Sequence, residues 1–164
     1  MEKNLLKLFL DDVRIDEIMS KDIIYVFEDD SLSIVQEKFI HNNISHLVVL
    51  ERDTNKLTGV VSRKYVYKAQ SPRKIIGQEV NYARDVIIDG ESYYDKDILE
   101  GLILKNIMKR EPFTLTPEDS VSGAIVNFCQ RKLSFIPIVD QRNRVVGTLS
   151  DFNVIDFIAR VIGW

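Results

Sequence analysis

The chain has 164 residues, of which 45% are hydrophobic and 29% are charged, and its net charge is −3. These values are typical of a globular protein with one sizeable core or two small ones. Because charges of both signs are interspersed, no basic field indicates a nucleic-acid partner. No apolar run approaches the roughly 18 residues that a membrane span needs. We therefore expect no nucleic-acid or membrane partner and a cytoplasmic location.

The chain begins with a predicted helix and contains a single cysteine. Leu5, Leu6 and Phe9 follow helical spacing, which predicts a docking helix over residues 1–11. Cys129 stands alone, which excludes an internal disulfide and a cysteine-rich zinc site. It follows an apolar helical pattern that includes Phe128, so we predict a buried thiol.

Two stretches of the chain repeat each other at an offset of 89 residues, which shortens to 88 after a loop. The matching pairs are Ile18-Met19 with Ile107-Met108, Asp30-Ser31 with Asp119-Ser120, Ile44 to Leu47 with Leu133 to Ile136, and Gly59 to Ser62 with Gly147 to Ser150. Equivalent positions of the two copies are expected to have equivalent structures, so their differences indicate where function resides.

Each copy predicts the same order of elements. A short extended run (23–26 or 113–115) precedes a helix whose N-cap candidate is Ser31 or Ser120. Two strands follow, joined by a polar hairpin loop (47–50 with 57–61, and 136–139 with 145–149), and a last helix begins near Ser62 or Ser150. The fold class is therefore α+β, with two β-α-β-β-α units whose small sheets pack on each other.

A long connection separates the two copies. It contains a strand-like piece at 86–88, a turn at Asp89-Gly90 and an amphipathic helix through Ile98, Leu102 and Ile103. Two interpretations stay open: a surface elaboration with its own apolar cluster, or a lid or partner-docking element. The predicted domains are residues 1–11 (helix), 12–68 (first copy), 69–101 (insertion) and 102–164 (second copy with the C-terminal helix).

Together these motifs resemble a tandem pair of cystathionine-β-synthase (CBS) domains, the Bateman module, over residues 12–68 and 102–160. The resemblance implies two pseudo-symmetric units that bind AMP, ADP, ATP, S-adenosylmethionine or cyclic di-AMP in the groove between them. It also implies a homodimer that regulates another, unidentified protein by conformational or dimer rearrangement. Neither catalysis nor a required cofactor is implied.

In the second copy, the resemblance assigns most of the adenosine contacts. A Ser/Thr-x-x-Asp motif binds ribose in the family, and here it reads Ser150, Asp151, Phe152, Asn153, so an amide oxygen replaces the acid as hydroxyl acceptor. The remaining implied contacts are Thr114 for the nucleotide and the segment Leu133, Ser134, Phe135, Ile136 and Pro137 for adenine. For Phe135, stacking on a purine and packing in the core both remain open.

In the first copy, the corresponding residues are basic or bulky. Ser62, Arg63, Lys64 and Tyr65 stand at the motif, and Tyr25 replaces the threonine. His46, with Arg63 and Lys64 at a helix start, suits a phosphate, whereas solvated charges and a hydrogen-bonded strand histidine are the alternatives. We hypothesise that the second copy holds base and ribose while the first copy contacts phosphates.

Two other functional classes are alternatives to a ligand-sensing module. An enzyme finds little support, because the chain has no glycine-rich phosphate loop and its two histidines lack metal-site spacing; no catalytic or metal-binding residue is predicted. The alternative is a degenerate CBS pair that acts as a dimerisation or protein-interaction module without nucleotide. The missing ribose acids favour it, as do the long connection and the side chains of Tyr25 and Tyr65, which crowd one cleft. Separately, Phe157, Val161 and Trp164 form an apolar row suited to a dimer contact, although packing on the chain's own sheet explains that row equally well.

Overall fold

The computed structural model describes residues 2–70, 87–89, 92–94 and 103–164. The chain divides into two compact units. Unit 1 comprises Met1–Ile24, Asn55–Leu57 and Glu111–Trp164, and unit 2 comprises Tyr25–Thr54 and Thr58–Arg110. Unit 1 therefore contains most of the second sequence copy, and unit 2 contains most of the first.

Unit 2 is a sheet with two helices. Among its described residues the strand order is β1-β2-β3-β6, where β1 is Tyr25–Phe27, β2 is His46–Leu50, β3 is Leu57–Ser62 and β6 is Lys109–Arg110. Strand β1 runs parallel to β2, and β6 runs antiparallel to β3. The helices are α2 (Leu32–Asn42) and α3 (Arg63–Gln70). Strand β2 is buried on both faces from Leu47 to Leu50, as expected for an interior strand.

Unit 1 repeats this arrangement with shorter edges. Strands β7 (Phe135–Val139) and β8 (Val145–Ser150) are antiparallel, and the helices are α4 (Val121–Arg131) and α5 (Asp151–Val161). In place of edge strands, Leu115 forms a parallel bridge to Ile138, and Ser20 forms an antiparallel bridge to Thr148. The extended run predicted over 113–115 therefore pairs with β7 at one ladder position, that of Leu115. The mixed α+β fold class is confirmed.

The predicted N-terminal helix is present as α1, Glu2–Asp12, and it packs on α4. Leu10 joins the apolar core of unit 1, and the Phe9 ring stacks on Phe157 with 6.1 Å between centroids. The prediction for Cys129 was wrong, because its side chain is exposed. The buried face of α4 passes through Val121, Ala124 and Phe128, and the next residue along the chain is turned about 100° away from it.

The first residues of each sequence copy pack on the unit built from the rest of the other copy. The short 3-10 helix Ile15–Glu17 lies in unit 1, where the Ile15 amide donates to the Asp119 carbonyl at 2.9 Å. The 3-10 helix Leu104–Asn106 lies in unit 2, where the Leu104 amide donates to the Asp30 carbonyl at 3.0 Å. The repeat is therefore preserved in three dimensions, but with these two segments exchanged.

Equivalent turns precede α2 and α4, but the two helix starts differ. Asp30 accepts from the Phe27 amide at 2.8 Å, and Asp119 accepts from the Thr116 amide at 2.7 Å. Ser120 then caps α4 by accepting from the Gly123 amide at 3.2 Å, as predicted. Ser31 makes no such bond, although its hydroxyl pairs with that of Ser33 at 2.8 Å much as the Ser120 hydroxyl pairs with that of Ser122 at 3.1 Å.

Two short strands are described within the connection between the copies. Strands β4 (Ile87–Asp89) and β5 (Ser92–Tyr94) pair antiparallel, with Asp89 opposite Ser92. The strand predicted at 86–88 is confirmed at residues 87–89. Gly90 and the helix predicted through Ile98 and Leu102 lie outside the described residues.

Candidate functional site

In unit 1, the end of strand β8 and the start of α5 are joined by three hydrogen bonds between Ser150 and Asn153. The Asn153 amide donates to Ser150 Oγ at 3.2 Å, while Asn153 Oδ1 accepts from the Ser150 amide at 2.8 Å and from Ser150 Oγ at 2.7 Å. Because a backbone N–H can only donate, the atom that faces it must be the Asn153 oxygen. Both acceptor positions of that oxygen are thus used by the helix cap, and Nδ2 is the side-chain atom that the cap leaves for a ligand.

The same junction is tied to the start of β7. The Asp151 amide donates to the Ser134 carbonyl at 3.2 Å, and Phe135 lies opposite Ser150 in the ladder. The exposed Asp151 carboxylate accepts from the Phe152 amide at 2.8 Å, a favourable position for an acid at a helix start. Ser134, Phe135, Ser150 and Asp151 are therefore brought together, as the sequence predicted for a common site.

Thr114 and Pro137 complete this side of unit 1. The Leu115 amide donates to the Pro137 carbonyl at 3.3 Å, so Thr114 lies beside β7 on the edge opposite β8. Thr114 is level with Pro137 and Ser150 lies opposite Phe135, so the two residues flank β7 with an offset of two residues along the strand. Pro137 is buried within β7, and Leu133 precedes the strand, where its amide donates to the Phe128 carbonyl at 3.1 Å.

Unit 2 has the same backbone junction with different side chains. The Arg63 amide donates to the Ser45 carbonyl at 2.9 Å, which reproduces the bond between Asp151 and Ser134. Ser62 ends β3, and the half-buried His46 follows Ser45 at the start of β2, so these residues share one end of the sheet. Tyr65 stands at the position of Asn153 and cannot supply the reciprocal cap that Asn153 supplies.

Arg63 and Lys64 differ in how firmly they are held. Arg63 is half-buried, its Nε donates to the Tyr67 hydroxyl at 2.9 Å, and its guanidinium lies 5.7 Å from the centre of the Tyr67 ring. Lys64 is exposed. A guanidinium fixed by a hydroxyl one helical turn away loses less conformational entropy on meeting an anion than an unrestrained lysine does.

Lys38 is a basic neighbour of this region that sequence reasoning missed. Its Nζ lies 5.2 Å from the centre of the Tyr25 ring, and Tyr25 in turn makes an edge contact with Phe27 at 5.5 Å. Tyr25 begins β1, beside Val48 of β2. Lys38 and Tyr25 are 13 positions apart on different elements, so periodicity carries no signal for this contact.

A family model named "CBS domain" matches residues 15–71 and 104–160. The chain belongs to the CBS domain family. The two matched stretches coincide with the two sequence copies, so the tandem repeat is a pair of CBS units, as the motifs predicted.

Solved CBS structures share the fold. The CBS domain pair of protein MJ0100, in complex with 5′-methylthioadenosine and S-adenosyl-L-methionine, is 19% identical with a TM-score of 0.68, and the match covers 91% of this chain and 98% of that one. The protein CBSX2, in complex with AMP, is 16% identical with a TM-score of 0.69 over 91% and 98% of the two chains.

Curated relatives of this CBS pair are much longer. Homoserine O-acetyltransferase of Methanococcus vannielii is 21% identical over 146 residues, which are 89% of this chain and 25% of that protein. The chain thus spans about a quarter of the length of the homoserine O-acetyltransferases that it matches.

The pKa shifts in the CBS pair lie at loops outside the predicted site residues. Hydrogen bonds from the Arg52 side chain hold the pKa of Asp29 below its usual value, and hydrogen bonds from the Arg144 amide and side chain do the same for the pKa of Asp140.

Within the described residues, no cluster of histidine, cysteine and acidic side chains has the arrangement of a metal site. Of the helices described, none has the length and apolar character to cross a bilayer.

Proposed function

We propose that this CBS pair is a regulatory module that binds an adenosine-containing ligand, and that it is not itself an enzyme. The observation that carries the proposal is that Ser134, Phe135 and Ser150 meet at one end of a small sheet in unit 1, with Thr114 beside the same strand β7. Hydroxyls and backbone polar groups at a strand end suit a nucleoside. That solved relatives of this fold are complexes with AMP and with S-adenosyl-L-methionine supports this ligand class.

The predicted site residues of the two units differ in charge. Among the predicted site residues themselves, the charged side chain of unit 1 is Asp151, whereas those of unit 2 include His46, Arg63 and Lys64, with Lys38 nearby. Unit 1 therefore favours the uncharged nucleoside, and unit 2 favours an anionic group. We propose AMP, ADP or ATP as ligands ahead of S-adenosylmethionine or cyclic di-AMP.

Binding would regulate a separate or attached protein by shifting the population of two conformations or of a dimer. Enzymes about four times longer that carry a matching stretch support an enzyme as the regulated protein. Such a sensor would work in the cytoplasm, where adenine nucleotides are available to it.

The test is calorimetry with AMP, ATP, S-adenosylmethionine and cyclic di-AMP on matched variants. Thr114→Val removes one hydroxyl with little change in shape, and Thr148→Val on β8 is its control. Arg63→Met with Lys64→Met removes two charges from unit 2, and Lys132→Met with Arg142→Met is the charge-matched control. We expect the first variant to weaken every ligand and the second to weaken AMP and ATP selectively.

The second candidate function is a CBS pair that mediates protein contacts without nucleotide. The use of the Asn153 oxygen by the helix cap favours it, because a ribose loses that acceptor. A ligand that binds only the folded state at 100 times its Kd stabilises by about 2.7 kcal/mol. Thermal unfolding that is unchanged by millimolar concentrations of all four ligands would favour this second function over nucleotide binding.

A further inference from the structure

Helix α2 of unit 2 buries an amide that has no hydrogen-bond partner in the described structure. Gln36 is 1% exposed, and neither its Oε1 nor its Nε2 is hydrogen-bonded. It shares the buried face of α2 with Leu32, Val35 and Phe39. The equivalent position in α4 is Ile125, a hydrocarbon packed against the core of unit 1. A buried amide without partners opposes the packing that buries it.

The same helix is also less well capped than its equivalent. Ser120 accepts from the Gly123 amide at the start of α4, whereas Ser31 makes no side-chain bond to the first turn of α2. The C-terminal ends are alike, because Asn43 and Lys132 both adopt the left-handed conformation, with φ of 49° and 52°. The two deficits of α2 therefore lie at its start and in its buried face.

We infer that α2 is a switch element of unit 2: it shifts away from its buried position far more readily than α4, and the Gln36 amide is hydrogen-bonded in the shifted state. An unfavourable group in the ground state lowers the free energy needed to reach an alternative state. Gln36 thus sets the population of the shifted state.

The switch connects directly to the basic junction of unit 2. The Ile44 amide donates to the Phe39 carbonyl at 3.3 Å, so the end of α2 leads without a break to Ser45 and His46. The Ser45 carbonyl in turn holds the Arg63 amide at the start of α3. A shift of α2 therefore moves Ser45 and His46 and, through the Ser45 carbonyl, the start of α3. This coupling, unlike the switch itself, rests on the proposed function, and we infer that nucleotide selects the shifted state.

Hydrogen exchange measured by mass spectrometry on the full chain tests the switch. We expect amides of α2 to exchange about 10- to 100-fold faster than those of α4, since a buried unpaired polar group costs about 1–3 kcal/mol and each 1.4 kcal/mol is tenfold. Gln36→Ile should slow exchange in α2 by a similar factor, and Gln36→Leu repeats the test with another hydrocarbon. The reciprocal control Ile125→Gln should speed exchange in α4. Equal rates in the two wild-type helices, or unchanged α2 rates in both Gln36 variants, overturn the inference.

Calorimetry with AMP on the same proteins tests the coupling. If AMP selects the shifted state, Gln36→Ile reduces the fraction of competent protein and weakens the apparent affinity up to about tenfold. Slower α2 exchange with unchanged AMP affinity overturns the coupling and leaves the switch. Absence of AMP binding to the wild-type protein overturns the coupling, and absence of binding of all four ligands overturns the proposed function as well, while the exchange rates still decide the switch.

Discussion

Gly147 leaves no room for a side chain because Met19 occupies that space. A Cβ built on Gly147 would lie 2.5 Å from Met19 Sδ and 3.0 Å from the Ser20 carbonyl oxygen. In unit 2, a Cβ on Gly59 would lie 2.9 Å from the Lys109 carbonyl oxygen and 3.0 Å from Met108 Sδ. The Ile-Met and Gly motifs of the repeat are therefore contact partners, and each Ile-Met segment meets the glycine of the other sequence copy.

Alanine at either glycine should destabilise its unit. We expect Gly147→Ala and Gly59→Ala each to lower the free energy of unfolding by about 1–3 kcal/mol, the usual cost of overpacking. The atom closest to the added Cβ differs between the two sites. At Gly147 it is the sulfur of a flexible methionine side chain, whereas at Gly59 it is a backbone carbonyl oxygen. Met19→Ala should therefore relieve part of the cost of Gly147→Ala in a double-mutant cycle, whereas Met108→Ala should relieve little of the cost of Gly59→Ala.

Urea unfolding followed by circular dichroism measures these differences. Gly123→Ala is the matched control, because its new Cβ would meet only Ser120 Oγ at 3.3 Å and alanine favours a helix. We expect its stability to equal or exceed that of the wild type. Full stability of Gly147→Ala would contradict the close packing described for Met19.

The repeat was sufficient to predict the fold but not the exchange of segments between units. Hairpins, helices and the Ser120 cap follow from local pattern, so the sequence reveals them. The contact of Met19 with Gly147 joins residues far apart in the chain, and a repeat with two identical motifs is equally consistent with contacts inside each copy. Cys129 was misplaced for a different reason, since the direction of its side chain depends on the tilt of α4 against the sheet.

The candidate site was predictable in position but not in hydrogen bonding. Residues at the start of α5 and of β7 were expected together, and the structure brings them together. The use of Asn153 as a cap was missed, although Ser-x-x-Asn at a helix start is a weak form of the capping-box signal. How each of these residues contacts a ligand stays a prediction.

Asn153→Asp should strengthen nucleotide binding without loss of the helix cap. A carboxylate can accept from the Ser150 amide and hydroxyl, as the amide oxygen does now, and has a second oxygen for a ribose hydroxyl. Charged hydrogen bonds contribute about 1.5–3 kcal/mol, so we expect AMP affinity to rise about tenfold by calorimetry. Asn153→Ala is the control: it should cost about 0.5–2 kcal/mol of stability through loss of the cap. Equal AMP affinity for the Asp and Asn proteins would exclude residue 153 from ribose contact.

The exposed face of α5 is expected to mediate self-association. Phe152, Ile155 and Ile162 lie at helical spacing on this face and are 68%, 63% and 77% exposed. Residues Phe157, Val161 and Trp164 form the row predicted from sequence, but Phe157 is partly covered by Phe9. Ile155→Asp should weaken a homodimer at least about 30-fold, as expected for a hot-spot contact of about 2 kcal/mol. Sedimentation velocity over a concentration series measures the affinity of the homodimer, and Gln130→Asp on α4 is the control variant. A wild-type protein that sediments as a monomer throughout would contradict the prediction.

The ion pair between Asp29 and Arg52 should make the stability of unit 2 depend on pH in the acidic range. Arg52 Nη2 lies 3.0 Å from Asp29 Oδ1 and 2.8 Å from Asp30 Oδ1, with its guanidinium 4.1 Å from the centre of the Phe27 ring. Hydrogen bonds from Arg52 lower the pKa of Asp29 in the folded protein. The unfolded chain therefore binds the proton more tightly, and the stabilisation is fully present above the unfolded pKa of about 3.9. It is lost as the pH falls through the lower folded pKa.

Arg52→Met is the informative variant, because methionine still packs against an aromatic ring while the charge is removed. We expect a lower urea midpoint than the wild type at pH 7, by a small amount because the pair is exposed, and convergence of the two midpoints as the pH falls below the lowered pKa of Asp29 in the folded protein. Addition of 1 M salt should narrow the difference at pH 7, since exposed charges are then screened within about 3 Å. Arg142→Met, which removes an equal charge from the hairpin loop of unit 1, should leave the pH profile unchanged. A constant difference between Arg52→Met and the wild type down to pH 2 would assign the loss to packing on Phe27 and not to the carboxylates.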